Sequence, residues 1–221
     1  MREMPVRYEF EKELKSLHDD LIKMGHIIEQ SIDDTIKALK EQDVALAKEV
    51  IGRDDVIDNM EMSLEAECLM IIARQQPIAR DLRLITSVLK IITDLERIAD
   101  HCADISKYTI RLAKEPYKKR IEHIPAMAEQ VKKMVKNIIE SYVEKDIEKA
   151  KQVCLEDDIV DRQFEEIILE LQGIMQKDQS FVTQGTCFMF ITKYLERMAD
   201  HATNIGEWII FHITGSHKEL N

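Results

Sequence analysis

Residues 94–105 read DLERIADHCADI, and residues 194–205, 100 positions later, read YLERMADHATNI. A duplication on this scale limits the fold, because the second half must build what the first half builds and the copies must stack or stand in tandem. Packing alone would keep the apolar period and let the polar positions drift. Here the Glu-Arg pair and the Ala-Asp-His triplet return with the apolar residues, so a second constraint acts on the acids.

The repeat extends upstream. KEQDVALAK at 40–48 resembles EKDIEKAK at 144–151, and RDDVID at 53–58 resembles EDDIVD at 156–161, both at an offset of 103. The offset shrinks to 100 by the first motif, so three residues are missing from the turn between the second and third helices of the second half. With 6 Gly and 4 Pro in 221 residues, few signals interrupt a chain rich in Leu, Ile, Met, Glu and Lys. Helical periodicity predicts helices over 8–40, 43–74 and 77–114, then 125–144, 146–177 and from 178 or 179 to 213. Pro77 is expected in a first helical turn, where its missing N–H costs nothing. The predicted fold is all-α: six helices as two tandem three-helix bundles, residues 1–115 and 116–221. Pro116 and Pro125 bracket the linker YKKRIEH, where proteolysis is expected first.

A net charge of −11 and a pI near 5.2 argue against nucleic acid, whose phosphates need a basic face, and suit cations. Cys68, Cys102, Cys154 and Cys187 form no CxxC pair and lie among apolar residues, which predicts reduced core thiols. The charged first ten residues and the lack of an apolar run of about 18 predict a soluble chain without leader or membrane span. Trp208, Ile209, Ile210 and Phe211 are expected to close the bundle or to form an interface.

At about 100° per residue, Leu84, Val88, Ile91, Leu95, Ile98, Cys102 and Ile105 form the core stripe of the third helix, and Glu96, Asp100 and Asp104 lie on another face. On the second helix, Val56, Met60, Leu64 and Ile71 mark the expected core, with Asp54, Asp58, Glu61 and Glu65 along its flank. Folding back about residue 77 sets Asp54 level with Asp100 and Asp58 level with Glu96. A pivot between Asp178 and Gln179 does the same for Asp157 with Asp200 and Asp161 with Glu196. Like charges at i,i+4 cost roughly 0.2–0.5 kcal/mol per pair. Arg97 and Arg197 could offset this on a solvated face, or the ridges could bind a hard cation such as Mg²⁺, Mn²⁺ or Fe³⁺. His101 and His201 point about 100° from the acids and are expected to bridge to a neighbouring helix.

Paired DDxxD-like and LERxADHxxNI segments in two three-helix repeats resemble the PhoU family, over nearly the whole chain. The resemblance implies a cytoplasmic, non-enzymatic regulator of phosphate uptake that restrains phosphate-starvation signalling. Its implied partners are the ATPase component of the phosphate ABC transporter and a sensor histidine kinase, with membrane association only through them. A homodimer is compatible with it. The resemblance also implies iron, or alternatively Mn, Mg or Zn, on the acidic motifs matched by Asp54 with Asp58, Glu96 with Asp100, Asp157 with Asp161 and Glu196 with Asp200. Glu61 and Asp104 are candidate additions in the first half. Because Phe164, Ile168 and Asn204 stand where the first half has Glu61, Glu65 and Asp104, the second site is expected to be the poorer one. Two rivals remain. A di-iron enzyme would need Glu-x-x-His pairs aimed into the core, and no acid lies three residues before any of the 7 histidines. A metal-free adaptor would dock a basic partner on the acidic faces.

Overall fold

The computed structural model describes residues 4–119 and 122–215, and among them six α-helices and no strand. The helices are α1 (Met4–Glu41), α2 (Val44–Gln75), α3 (Ala79–Leu112), α4 (His123–Glu144), α5 (Ile147–Lys177) and α6 (Val182–Thr214), with a 3-10 turn at Gln179–Phe181. Two start signals are repeat-related. Asp43 accepts from the N–H groups of Ala45 and Leu46 at 2.9 and 3.0 Å, and Asp146 from those of Glu148 and Lys149 at 3.0 and 3.1 Å. Such caps satisfy orphan donors and contribute about 1 kcal/mol each. Gln42 and Lys145, just before them, take left-handed conformations that end α1 and α4.

Pro77 departs from expectation. It lies in the irregular stretch before α3, after a left-handed Gln76 has ended α2, because proline cannot continue a helix. Residues 76–78 are the three that the second half lacks. There α5 runs into Asp178, which caps the 3-10 turn at the Ser180 N–H, 3.0 Å away.

The hairpins α2/α3 and α5/α6 join through α3 against α6, while α1 packs on α2, α3 and α4, and α4 on α5 and α6. α3 and α6 run antiparallel: the His101 and His201 rings lie 5.6 Å apart near the midpoint, with Tyr108 stacked on Phe190 on one side and Lys90 over Trp208 on the other. All six helices feed one continuous apolar core, to which the turn residue Phe181 adds a fully buried ring. Ile209 and Ile210 are buried, and Trp208 meets Phe211 edge-on at 5.9 Å, so this segment closes the bundle. The four cysteines are buried and free.

The core face of α3 is as expected, with Leu84 half-buried at its edge. That of α2 is not. Val56 is half-exposed and Met60 partly buried, whereas Ala47, Val50, Ile57, Leu64, Cys68 and Ile71 are buried. These fall at alternating three- and four-residue steps in which Asp54 and Glu61 fill the gaps. α5 repeats the pattern with Ala150, Val153, Val160, Ile167 and Leu171, and Asp157 and Phe164 fill the gaps. A seven-residue period drifts about 20° per heptad from a straight 3.6-residue stripe, which moves the seam onto positions assigned to the flank.

The linker is fastened rather than loose. Tyr117 donates to the Leu39 carbonyl at 2.6 Å, Gln42 to those of Leu112 and Glu115 at 3.0 and 2.9 Å, and buried Gln184 to that of Pro116 at 3.0 Å. Arg120 and Ile121 of the expected cleavage segment lie outside the described residues.

Candidate metal centre

Seam placement sets the chemistry of the first cluster. Asp54 occupies a core-facing position of α2, Asp58 follows one turn on, and Asp100 enters from α3. One carboxylate oxygen of each lies within 4.8 Å of the others. Asp54 Oδ1 and Asp58 Oδ1 are closed off from solvent and have no hydrogen-bond partner. Burial first, then the Asp100 and Asp58 charges, push Asp54 up to about 6, and burial with Asp100 raises Asp58 as well. These orphaned oxygens invite either a proton or a cation.

The other expected ligands of this half divide. Glu96 stands outside the trio, pushed up to about 7 by burial and then by Asp100, with Arg97 Nε 3.4 Å away. The same guanidinium bonds Asp100 at 3.1 Å. Glu61 accepts from the Thr93 hydroxyl at 3.3 Å, and Glu65 is exposed. Asp104 pairs with Lys107 at 2.8 Å, and its charge lies near Tyr194 of α6. Three carboxylates therefore meet where the hairpin register anticipated four.

The second cluster is built differently. Asp157 is buried, only 7% exposed, so the expectation that the acids lie off the core fails here; its heptad position explains why. Its Oδ1 has no partner, and burial, then Asp200, Asp161 and Glu196, push it up to about 7. Asp200 is raised by burial and then by Glu196. Among the described residues no three ligand atoms converge here as they do in the first half. Glu196 is held by Lys193 Nζ at 2.6 Å, the part that sequence reasoning gave to Arg197.

Between the clusters, His201 Nδ1 meets Asp94 Oδ1 at 2.9 Å, the inter-helix bridge expected of it. His101 does not bridge: it is buried, both ring nitrogens lack a partner, and burial followed by the His201 charge lowers it to about 4, which keeps it neutral. Its ring instead lies 5.4 Å from that of Tyr194. Asp94 also receives Asn204 at 3.4 Å, while Tyr194, at the repeat position of Asp94, lies near Asp104. The Asp104/Asn204 difference is thus part of an interface pair. Sequence reasoning missed this, although the first residue of the quoted repeat differs, Asp against Tyr. It also missed buried Glu156, which accepts from Lys133 and Gln130, both at 2.9 Å. The aligned position, Arg53, bonds Asp34 of α1 at 2.8 Å, the same inter-helix tie with its charges reversed.

An all-oxygen donor set with orphaned lone pairs fits a hard cation and offers no thiolate or imidazole to a softer one. The family model described as the PhoU domain matches the chain twice, over residues 21–109 and 124–209. The chain belongs to the PhoU family. A PhoU homolog of Clostridium acetobutylicum is 44% identical over 213 residues, covering 96% of this chain and 97% of the relative. One from Pseudomonas aeruginosa is 34% identical over 215 residues, 96% and 88% of the two chains. The crystal structure of PhoU from Pseudomonas aeruginosa superposes with a TM-score of 0.91 over 94% of this chain and 100% of that one, at 34% identity. PhoU from Streptococcus pneumoniae gives 0.89 over 96% and 100%, at 26% identity. The curated relatives are named accessory proteins of a phosphate-specific transport system, so the PhoU family is one of accessory proteins and not of enzymes. Among the described residues no helix is long and apolar enough to cross a membrane.

Proposed function

We propose that this chain is a cytoplasmic regulator of phosphate uptake that restrains phosphate-starvation signalling, and that hard metal ions on its carboxylate clusters tune its contacts. Its partners in this reading are the ATPase component of a phosphate ABC transporter and a sensor histidine kinase, engaged at the membrane only through them, and a homodimer is the assembly to test. Full-length similarity to proteins named for the phosphate-specific transport system supports the regulatory part. The observation that carries the metal part is the convergence of Asp54, Asp58 and Asp100 with two buried oxygens left unpartnered.

Asp54, Asp58 and Asp100 would hold the ion in the first half, with Glu96, Glu61 and Asp104 around them. Asp157, Asp161, Glu196 and Asp200 form the second set. A bound iron, manganese, magnesium or zinc ion would supply positive charge where acids crowd, which changes the potential that a partner meets. One oxygen each of Asp54, Asp58 and Asp100 would face the ion, and Arg97 pairs with Asp100 at 3.1 Å.

The test is metal analysis of the purified chain, followed by binding to the isolated transporter ATPase and to the kinase with and without chelator. The expected result is bound metal and contacts that weaken on chelation. Contacts unchanged by complete metal removal would favour the metal-free adaptor, and binding to neither partner would overturn the regulatory reading.

A further inference from the structure

Two aligned positions changed together between the halves. Phe164 holds on α5 the seam position of Glu61 on α2, and Lys193 holds on α6 the position of Thr93 on α3. In the first half this pair is a hydroxyl donating to a carboxylate at 3.3 Å. In the second it is an ammonium 5.4 Å from a phenyl centroid, and the same ammonium grips Glu196. The exchange removes one negative charge and adds one positive charge beside the second cluster.

We propose that Lys193, seated on Phe164, is a built-in cation that takes the place of an ion at the second cluster, so that the two clusters bind metal in different numbers. Glu196 is committed to the ammonium, and Asp157, Asp161 and Asp200 remain for a hard divalent or trivalent cation. This rests on the metal reading above. Asp157 is nine-tenths buried with an unpartnered Oδ1 beside Asp161, Asp200 and Glu196, an oxygen that calls for a cation or a proton. A solvated Lys–Glu pair at i,i+3 is common and contributes little, but it does not account for an aromatic ring replacing an acid directly beneath the ammonium. Cation–π contact holds the charge in place, where it repels an incoming ion and competes for Glu196.

The experiment uses full-length protein carrying Asp58→Asn and Asp100→Asn, so that the second cluster alone is read. Onto this parent go Lys193→Met, which keeps an unbranched side chain beside the ring but removes the charge, and separately Phe164→Glu with Lys193→Thr, which rebuilds the first-half composition. Mn²⁺ titration by calorimetry and metal counting are run on each, with circular dichroism confirming the helices. Lys193→Met is expected to tighten Mn²⁺ binding on the order of tenfold, as loss of a nearby like charge should, and the rebuilt variant is expected to bind an additional ion per chain. Unchanged affinity in Lys193→Met, in a protein whose unsubstituted form does bind Mn²⁺, overturns this proposal alone. No Mn²⁺ or Fe³⁺ binding by the unsubstituted chain overturns it together with the metal reading.

Discussion

Replacing Asp58 and Asp100 with Asn removes all three carboxylate pairs of the first trio while preserving shape. With oxygens within 4.8 Å of one another, each charged pair costs about 0.9 kcal/mol at the dielectric of water and about 3.5 kcal/mol at an effective dielectric of 20. Half-buried seats place the real value near the lower limit, and the lost Arg97–Asp100 pair, 3.1 Å long and exposed on the Arg side, offsets about 0.5 kcal/mol. The net gain for the metal-free variant is on the order of 2 kcal/mol at pH 8, or about 4–8 °C in Tm for a chain of this size. Metal reverses the order. A site filled at 100-fold excess over Kd stabilises its protein by about 2.7 kcal/mol, which the unsubstituted chain gains and the variant does not. Differential scanning calorimetry of both proteins, with chelator and then with Mn²⁺, reads the crossing directly. Equal metal content in the two proteins, or a variant that melts below the unsubstituted chain in chelator, would refute the reasoning.

Burial and neighbouring acids raise Asp54 to about 6 and Glu96 to about 7, so the folded metal-free chain retains protons that the unfolded chain has lost between about pH 4 and 7. Its stability should therefore fall as pH rises through that window, and the advantage of the Asp58→Asn, Asp100→Asn variant in chelator should shrink from pH 8 to pH 5; a constant difference counts against the coupling. Gly206→Ala should lower stability by about 1–3 kcal/mol, because a Cβ there would stand 2.8 Å from Cys154 Sγ and 3.3 Å from Ile138 Cδ1; an unchanged melting curve would mean that α6 can shift away. Burial pushes the Cys68 and Cys102 thiols up to about 12 and Cys154 to about 11, so a thiol reagent should label none of them until the chain unfolds, and rapid labelling of the native protein would contradict the packing.

Helix number, order and approximate ends were readable from the sequence, because periodicity, scarce Gly and Pro and the duplicated motif all act locally. Asp43 and Asp146 were placed within one residue of their caps for the same reason. The ligand sets were readable as helix faces: i,i+4 spacing and hairpin register brought Asp54, Asp58 and Asp100 together on paper as they meet in the fold. The α2 seam is legible in Ala47, Val50, Ile57, Leu64, Cys68 and Ile71, whose three-four spacing follows a seven-residue period with gaps at Asp54 and Glu61 and does not follow a straight stripe.

What the sequence determined by itself is what depends on neighbours along the chain: six helices, their duplication, and acids repeating on two hairpins. Tertiary structure decided which acids are buried, and with what beside them. Asp157 is desolvated because α5 turns that position toward the core, the ammonium that pairs with Glu196 rests on the Phe164 ring of the neighbouring helix, and Asp104 and Asn204 lie beside Tyr194 and Asp94 because α3 and α6 run antiparallel. Desolvation and these cross-helix contacts depend on distances between residues roughly 30 to 110 positions apart, which the spacing along one helix does not fix.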